Sequence, residues 1–273
     1  MKVLHFVLSL FMFFTLVFTC KAQFNSTLYD KEAFLIGTLD DYMGYQRTFN
    51  AESDSFYYQK VDIYSKDELK TALFIDSLFN SKYTDIYLID NGAPKGIKLY
   101  SPNLSNRIDK YFEYKTSASR TMQGDTVFYG LIKKDMFKTN KEKLSFLLGF
   151  FLRYRPDYNR IAMANSTSKA AVCADMLKEF GCADVEYTIK KGYIPVGHII
   201  TFEPSPEIQK IIEEADKLNY YISNINTNKI KFTLDGTKYR WKEPDYPKFH
   251  NKSNHSIDSI IVVGIGKDTL QKK

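Results

Sequence analysis

The sequence predicts an α/β fold, with a mixed α+β arrangement as the alternative. Two capping boxes, Ser65–Glu68 and Thr139–Glu142, open helices by satisfying backbone donors reciprocally. Strand-like segments alternate with helical segments between residues 126 and 203, which predicts at least one parallel βαβ crossover. The dipeptide Asp235-Gly236 is typical of a two-residue β-hairpin. We therefore expect a layered domain with a mixed sheet and a C-terminal hairpin.

The first half of the chain, residues 23–120, contains the weaker signals. Asp30 is a suitable cap for a helix whose apolar face would carry Phe34, Leu35, Leu39 and Tyr42. The helix opened at Ser65 is expected to run to about Phe79, and Thr84–Asp90 then alternates as a strand.

The second half, residues 121–273, is easier to interpret. A polar stretch at residues 117–125 is the best internal boundary, with a single continuous domain as the alternative. The helix after Thr139 is apolar nearly all round, so we expect it to be buried, and Pro156 ends it. The remaining predicted elements follow in chain order: strands Thr126–Lys134 and Asn159–Asn165, a helix from about Thr167 to Phe180, strands Ala183–Lys190 and Pro195–Pro204, a helix from Ser205, the hairpin, and strand Ser259–Gly266.

The N-terminus resembles a bacterial-type export signal. Lys2 precedes the apolar run Val3–Phe18, which is shorter than the ~20 residues of a membrane span. Cleavage after Ala22 would remove residues 1–22 as a signal peptide. Alternatively, Cys20 would be the lipid-carrying cysteine of a lipoprotein, with residues 1–19 removed. Both alternatives predict an exported protein that is periplasmic, envelope-attached or extracellular, with a membrane contact only through a lipid on Cys20.

Composition excludes one class of partner. Hydrophobic residues make up 44% and charged residues 26% of the chain, which are ordinary values for a globular protein. The formal net charge of +6 falls to +4 when Lys2 and Lys21 are removed. Lysines are interspersed with acidic residues and form no concentrated basic patch, so we expect no nucleic-acid partner.

Two cysteines are left in the predicted mature chain. Cys173 and Cys182 could form one disulfide in an oxidising compartment. The alternative is that both are small buried hydrophobic residues.

The segment Asn165, Ser166, Thr167, Ser168 and Lys169 is the strongest candidate ligand site. It lies where a predicted strand passes into a helix, so backbone amides and the positive end of the helix dipole would face an anion. It contains no glycine, which phosphate-binding loops use, and therefore a simple helix cap is the competing interpretation.

His198 is the one histidine in a predicted regular element, and it is a weak candidate for a catalytic base. Strand alternation places it on the opposite face from Glu203, which favours a structural role. His250 and His255 lie near Asp245 and Asp258 without zinc-like spacing, so we predict no metal and no cofactor.

These patterns favour a non-catalytic protein that binds an unknown protein or small ligand outside the cytoplasm. One alternative is a hydrolase of envelope or extracellular polymers with His198 in its site. A second is a small-anion binder at residues 165–169.

Overall fold

The structure is a computed structural model that describes most of the chain from residue 27 to residue 225 and three short strands beyond it. The described residues are 27–50, 55–57, 60–90, 96–120, 124–166, 168–225, 227, 238–240, 261–263 and 265–266. The predicted export signal, with Cys20, and most of the predicted C-terminal hairpin lie outside them. No helix in these ranges combines the length and the apolar character that a membrane crossing needs.

Six α-helices lie in the described part of the chain. They are α1 (Lys31–Thr38), α2 (Leu69–Phe79), α3 (Pro102–Asp109), α4 (Asn140–Tyr154), α5 (Lys169–Glu179) and α6 (Pro206–Ser223). The predicted caps of three of them are confirmed: Asp30 accepts a bond from Ala33 N, the Thr139 capping box closes at the start of α4, and Ser205 accepts from Ile208 N. The Ser65–Glu68 capping box is also present, and it opens a 3-10 turn that leads into α2.

The described strands form four antiparallel sheets. The strands are β1 (Tyr45–Asn50), β2 (Ser55–Tyr57), β3 (Lys60–Tyr64), β4 (Tyr87–Asp90), β5 (Ile97–Tyr100), β6 (Phe112–Arg120), β7 (Thr126–Ile132), β8 (Arg160–Ala164), β9 (Ala183–Lys190), β10 (Gly197–Glu203), β11 (Lys238–Arg240), β12 (Ile261–Val263) and β13 (Ile265–Gly266). Their orders are β2-β1-β7-β6, β8-β10-β9, β11-β13 and β12-β4-β5-β3.

The predicted parallel crossover in a mixed sheet is not shown by the described strands, because every pair among them is antiparallel. Helix α4 leads from β7 in one sheet to β8 in another. Helix α5 does connect two strands of one sheet, but β10 returns from β9 and pairs with both β9 and β8. β8 and β9 therefore run in the same direction with β10 between them. The α+β alternative is the one that the structure supports.

Two glycines let α1 and α4 pack closely at the centre of the core. A Cβ atom on Gly37 would lie 2.1 Å from the carbonyl oxygen of Phe146, and one on Gly149 would lie 2.1 Å from that of Phe34. Any side chain at either position would therefore separate the helices. The apolar α4 is buried along Ser145–Leu152, as its sequence predicts.

The division at residues 117–125 stays a prediction. Strands from both sides of it, β6 and β7, pair with each other, and buried hydrophobic residues from both regions belong to one cluster.

Candidate functional site

Side chains from other elements bind the backbone of the loop that follows α1. The sequence predicts that the apolar face of α1 continues to Tyr42, but the helix ends at Thr38 and Tyr42 is exposed. In a continued helix, the carbonyls of residues 37–39 would accept bonds from the amides of residues 41–43. Here side chains from other elements take these carbonyls. The helix therefore ends because of tertiary contacts, which the local sequence does not reveal.

Arg153, from the last turn of α4, takes one of these carbonyls and anchors β3. Its guanidinium donates to Thr38 O at 2.6 Å and Ile63 O at 2.6 Å. It also pairs with Asp62 at 2.8 Å and Glu68 at 2.8 Å. Burial alone would lower the pKa of Arg153, but the neighbouring Asp62, Tyr154 and Glu68 raise it well above its ordinary value. The guanidinium thus keeps its charge at any accessible pH.

Lys169, the first residue of α5, takes the other two carbonyls. Its ammonium donates to Gly37 O at 2.9 Å and to Leu39 O at 2.5 Å, and it also lies over the ring of Tyr154. Leu39 O accepts a second bond from Tyr154 Oη at 2.6 Å. Burial lowers the pKa of Lys169 to about 8, even though the negative charge of Asp41 raises it. Cations favour a helix C-terminus, so Lys169 stabilises the end of α1.

The other residues of the predicted anion site are also engaged with neighbours. Ser166 Oγ donates to Asp41 at 2.5 Å, and Ser168 Oγ accepts from Ile132 N at 2.8 Å. Asn165 adopts a positive φ of 48°, accepts from Met43 N at 2.9 Å and donates to Val196 O at 2.7 Å. Thr167 lies outside the described residues. These contacts join the segment to the loop after α1, and anion binding there stays a prediction.

A cavity opens beside the same loop. Its volume is about 200 Å³, and its walls are formed by Asp40, Tyr42, Gly44, Tyr45, Gln46, Lys60, Asp62 and Ile63. Lys60 is half-buried at the start of β3, and its backbone carbonyl accepts from Arg47 at 2.6 Å. Sequence reasoning missed this cavity, because its walls come from the loop and from strands β1 and β3, which the pattern did not predict.

A second feature of this end of the molecule is a group of exposed apolar side chains, which we call the tip surface. Its members are Tyr42, Met43, Ile189, Tyr193 and Ile194. Tyr42 and Met43 belong to the loop after α1, and the others to β9 and the turn that leads to β10. Ile194 is fully exposed, and Tyr193 is 64% exposed.

His198 lies in β10 and is only 8% exposed. Its Nδ1 atom is 2.7 Å from the hydroxyl of Tyr187, and burial lowers its pKa. Glu203 is exposed and accepts a bond from Asn159 at 3.5 Å. The structure therefore places a tyrosine, and not Glu203, beside this histidine.

The two cysteines and the histidine-rich segment complete the predicted candidates. Both thiols are free in the structure, with Cys173 buried and Cys182 half-buried, and burial raises the pKa of each. A disulfide between them stays a prediction. His250 and His255 lie outside the described residues, and within the described ranges no three His, Cys, Asp or Glu side chains are grouped as metal ligands would be.

No protein-family model, no curated protein and no solved structure matches this chain.

Proposed function

We propose that the protein is exported and that it binds a partner protein, without catalysing a reaction, through the tip surface. The observation that carries the proposal is that backbone hydrogen bonds through Asn165 bring together two distant segments that both carry exposed apolar side chains. Scattered exposed apolar residues are ordinary, whereas a contiguous group on a soluble domain is typical of an interaction site.

Backbone contacts through Asn165 support the contiguity. Met43 N binds Asn165 O, and Asn165 N binds Val196 O, so three segments lie side by side in that order. Neighbouring strands are about 4.8 Å apart, which puts the backbones of Met43 and Val196 about 10 Å from each other. Tyr193 and Ile194 precede Val196 by three and two residues. Side chains of this size span such a distance and would present one surface to a partner.

The loop side of the tip surface is held in position before any partner arrives. Arg153 and Lys169 fix residues 37–39, and the Asp41–Ser166 hydrogen bond fixes the segment that leads to Tyr42. A surface that is already ordered loses less conformational entropy on binding, which favours affinity.

Charge at the edge of the surface indicates the partner's chemistry. Lys190 and Lys191 are exposed next to Tyr193, and the ammonium of Lys190 lies 5.8 Å from that ring's centroid. We therefore expect a partner with an apolar centre and acidic residues at its rim, since complementary charges favour association.

The test compares two double variants. Tyr193→Ser with Ile194→Ser removes most of the tip surface, whereas Tyr158→Ser with Tyr220→Ser removes exposed apolar area elsewhere. Each tagged protein is expressed in the source cells, cross-linked and recovered from the envelope fraction. We expect a protein that is captured by the wild type and by the control but at least tenfold less by the tip variant.

Equal capture by both variants would contradict the proposal, as would no specific capture at all. Solution mass across a range of concentrations is measured in parallel. Self-association that disappears only in the tip variant would identify the partner as a second copy of this chain.

Two alternatives are less well supported. A hydrolase using His198 would need a carboxylate to orient the ring, and the structure places Tyr187 against Nδ1. A small-anion binder would need Lys169 to face its ligand, whereas the ammonium donates to Gly37 and Leu39. If the histidine is a catalytic base, a folded His198→Gln protein should lose turnover by about 10²–10⁴-fold.

A further inference from the structure

Lys60 is a half-buried lysine that lines the cavity beside the loop. No side-chain hydrogen bond or ion pair joins it to another residue of the described ranges. The other buried cations near it are engaged: Arg47 pairs with Asp109 at 2.7 Å, and Arg153 pairs with Asp62. A half-buried lysine without an ion pair is unusual, because withdrawing an unpaired charge from water is costly.

The neighbours of Lys60 favour its neutral form. Its pKa is lowered to about 8, first by burial and then by the positive charges of Arg47 on β1 and Lys98 on β5, while Asp62 on β3 and Asp40 in the loop oppose the shift. A desolvated lysine next to another cation is one of the arrangements that activate an amine as a nucleophile.

We propose that Lys60 is a nucleophilic amine that condenses with a small neutral aldehyde held in the cavity, giving an imine. The lone pair of the neutral amine forms a bond to the carbonyl carbon, and the oxygen takes a proton to give a carbinolamine. Loss of the hydroxyl as water forms the C=N bond. Both hydrogens of the amine and the aldehyde oxygen leave as that water, so no oxidant or reductant is required.

The walls of the cavity define the ligand class. A volume of about 200 Å³ is somewhat larger than the ~150 Å³ cavity that accommodates benzene in another protein. Tyr42, Tyr45 and Ile63 supply apolar area, which suits a small hydrocarbon or aromatic group. Asp40 and Asp62 line the same cavity and would repel an anionic carbonyl compound such as a 2-oxo acid.

The experiment traps the imine by reduction and reads each lysine separately. The purified protein is incubated at pH 7 with benzaldehyde and cyanoborohydride, and alkylation is followed by peptide mass mapping. At this pH about a tenth of an amine with a pKa near 8 is neutral, against less than about a thousandth of an ordinary lysine. We expect Lys60 to react at least tenfold faster than the exposed Lys210 and Lys217 on α6, and its rate to saturate with benzaldehyde concentration.

Controls separate a bound ligand from simple basicity. Lys98→Met removes a charge that lowers the pKa of Lys60, so labelling at residue 60 should slow at pH 7 but still saturate with benzaldehyde concentration. The bulkier 2-naphthaldehyde should lose much of the rate advantage that benzaldehyde shows at Lys60 over the exposed lysines. The rate at Lys60 should rise with pH and level off near pH 8. Labelling of Lys60 at the rate of the exposed lysines, or a rate that never saturates, would overturn the proposal. Because the comparison is made within the wild-type chain, it does not depend on a folded variant.

Discussion

Two buried cations hold the end of α1 from different sides, and their surroundings differ. On the side of β3, Arg153 meets two carboxylates, Asp62 and Glu68, in addition to the carbonyls that it binds. On the side of α5, Lys169 binds two carbonyls, and the carboxylate of Asp41 accepts instead from Ser166. The pKa of Arg153 is raised and that of Lys169 is lowered to about 8.

This difference shows that burial alone does not decide what a charge does for stability. A buried charge that is matched by opposite charges is costly to remove, because the partners are then left unpaired. A buried amine that contacts only neutral dipoles loses its hydration and gains no opposite charge in return. Protonation of such an amine therefore stabilises the folded state little. We therefore expect the Arg153 side to respond strongly to mutation and the Lys169 side to respond to pH.

The largest expected effect is that of Arg153→Met. The substitution leaves buried Asp62 without its cation and removes the donors to Thr38 O and Ile63 O. Breaking a buried ion pair on one side costs about 3–5 kcal/mol of unfolding free energy. Urea unfolding followed by circular dichroism measures the change.

Arg160→Met is the matched control, because Arg160 pairs with Asp157 at 3.4 Å while both side chains are largely exposed. Exposed pairs contribute about 0–1 kcal/mol. If the two variants lost the same free energy, the distinction between the compensated and the exposed arginine would be wrong.

Local signals in the sequence predict much of this fold. Capping residues such as Asp30, Thr139 and Ser205 satisfy donors within their own helices, so four residues of sequence are enough to find them. The burial of α4 follows from its nearly continuous apolar character. Strand pairing is different, because the partner is chosen by contacts between distant segments. The insertion of β10 between β8 and β9 could not be inferred from strand order along the chain.

The candidate site was predictable only in part. The sequence does identify residues 165–169 as a polar strand-to-helix connection. It does not show that Lys169 binds the end of α1, because the carbonyls of Gly37 and Leu39 lie 132 and 130 residues away along the chain. The same holds for Lys60, since a single lysine in a weakly patterned strand carries no local signal. The consecutive acids Asp40 and Asp41, followed by Gly44, were the available indication of a structured loop.

The second prediction concerns pH and compares the wild type with Lys169→Met. Between pH 8 and the ordinary lysine value of about 10.4, the unfolded chain binds a proton at Lys169 that the folded protein does not. The wild type should therefore gain stability relative to the variant as pH rises from 8 to 9.5, by at most about 2 kcal/mol in total. Below pH 8 the difference between the two proteins should be nearly constant.

The measurement is a series of urea unfolding curves for both proteins at half-unit intervals from pH 6.5 to 9.5. The pKa of Lys60 is also lowered, so Lys60 too makes the unfolding free energy rise with pH. Because Lys60 is present in both proteins, its contribution to the difference cancels. The buried Tyr154 has a raised pKa, which gives the opposite sign only above about pH 10, outside the range. If the difference in unfolding free energy between the wild type and Lys169→Met stayed constant or fell above pH 8, the folded protein would stabilise the charge of Lys169 as firmly as that of Arg153.

The smallest effect is expected at Tyr154, and it depends on which other donor is present. Leu39 O accepts from both Tyr154 Oη and Lys169 Nζ, so Tyr154→Phe alone leaves that carbonyl with a partner and should cost about 0.5–1 kcal/mol. In the Lys169→Met background the same change leaves a buried carbonyl without a donor, which costs about 1–3 kcal/mol. The double-mutant cycle, measured by urea unfolding at pH 7, should therefore give a coupling of about 1 kcal/mol. Tyr64→Phe is the matched control, because Tyr64 Oη has no hydrogen-bond partner within the described residues and should show no coupling to Lys169. If the losses for Tyr154→Phe and Lys169→Met were additive, the two side chains would not share Leu39 O as an acceptor. The end of α1 would then depend there on a single hydrogen bond and not on the two that the geometry indicates.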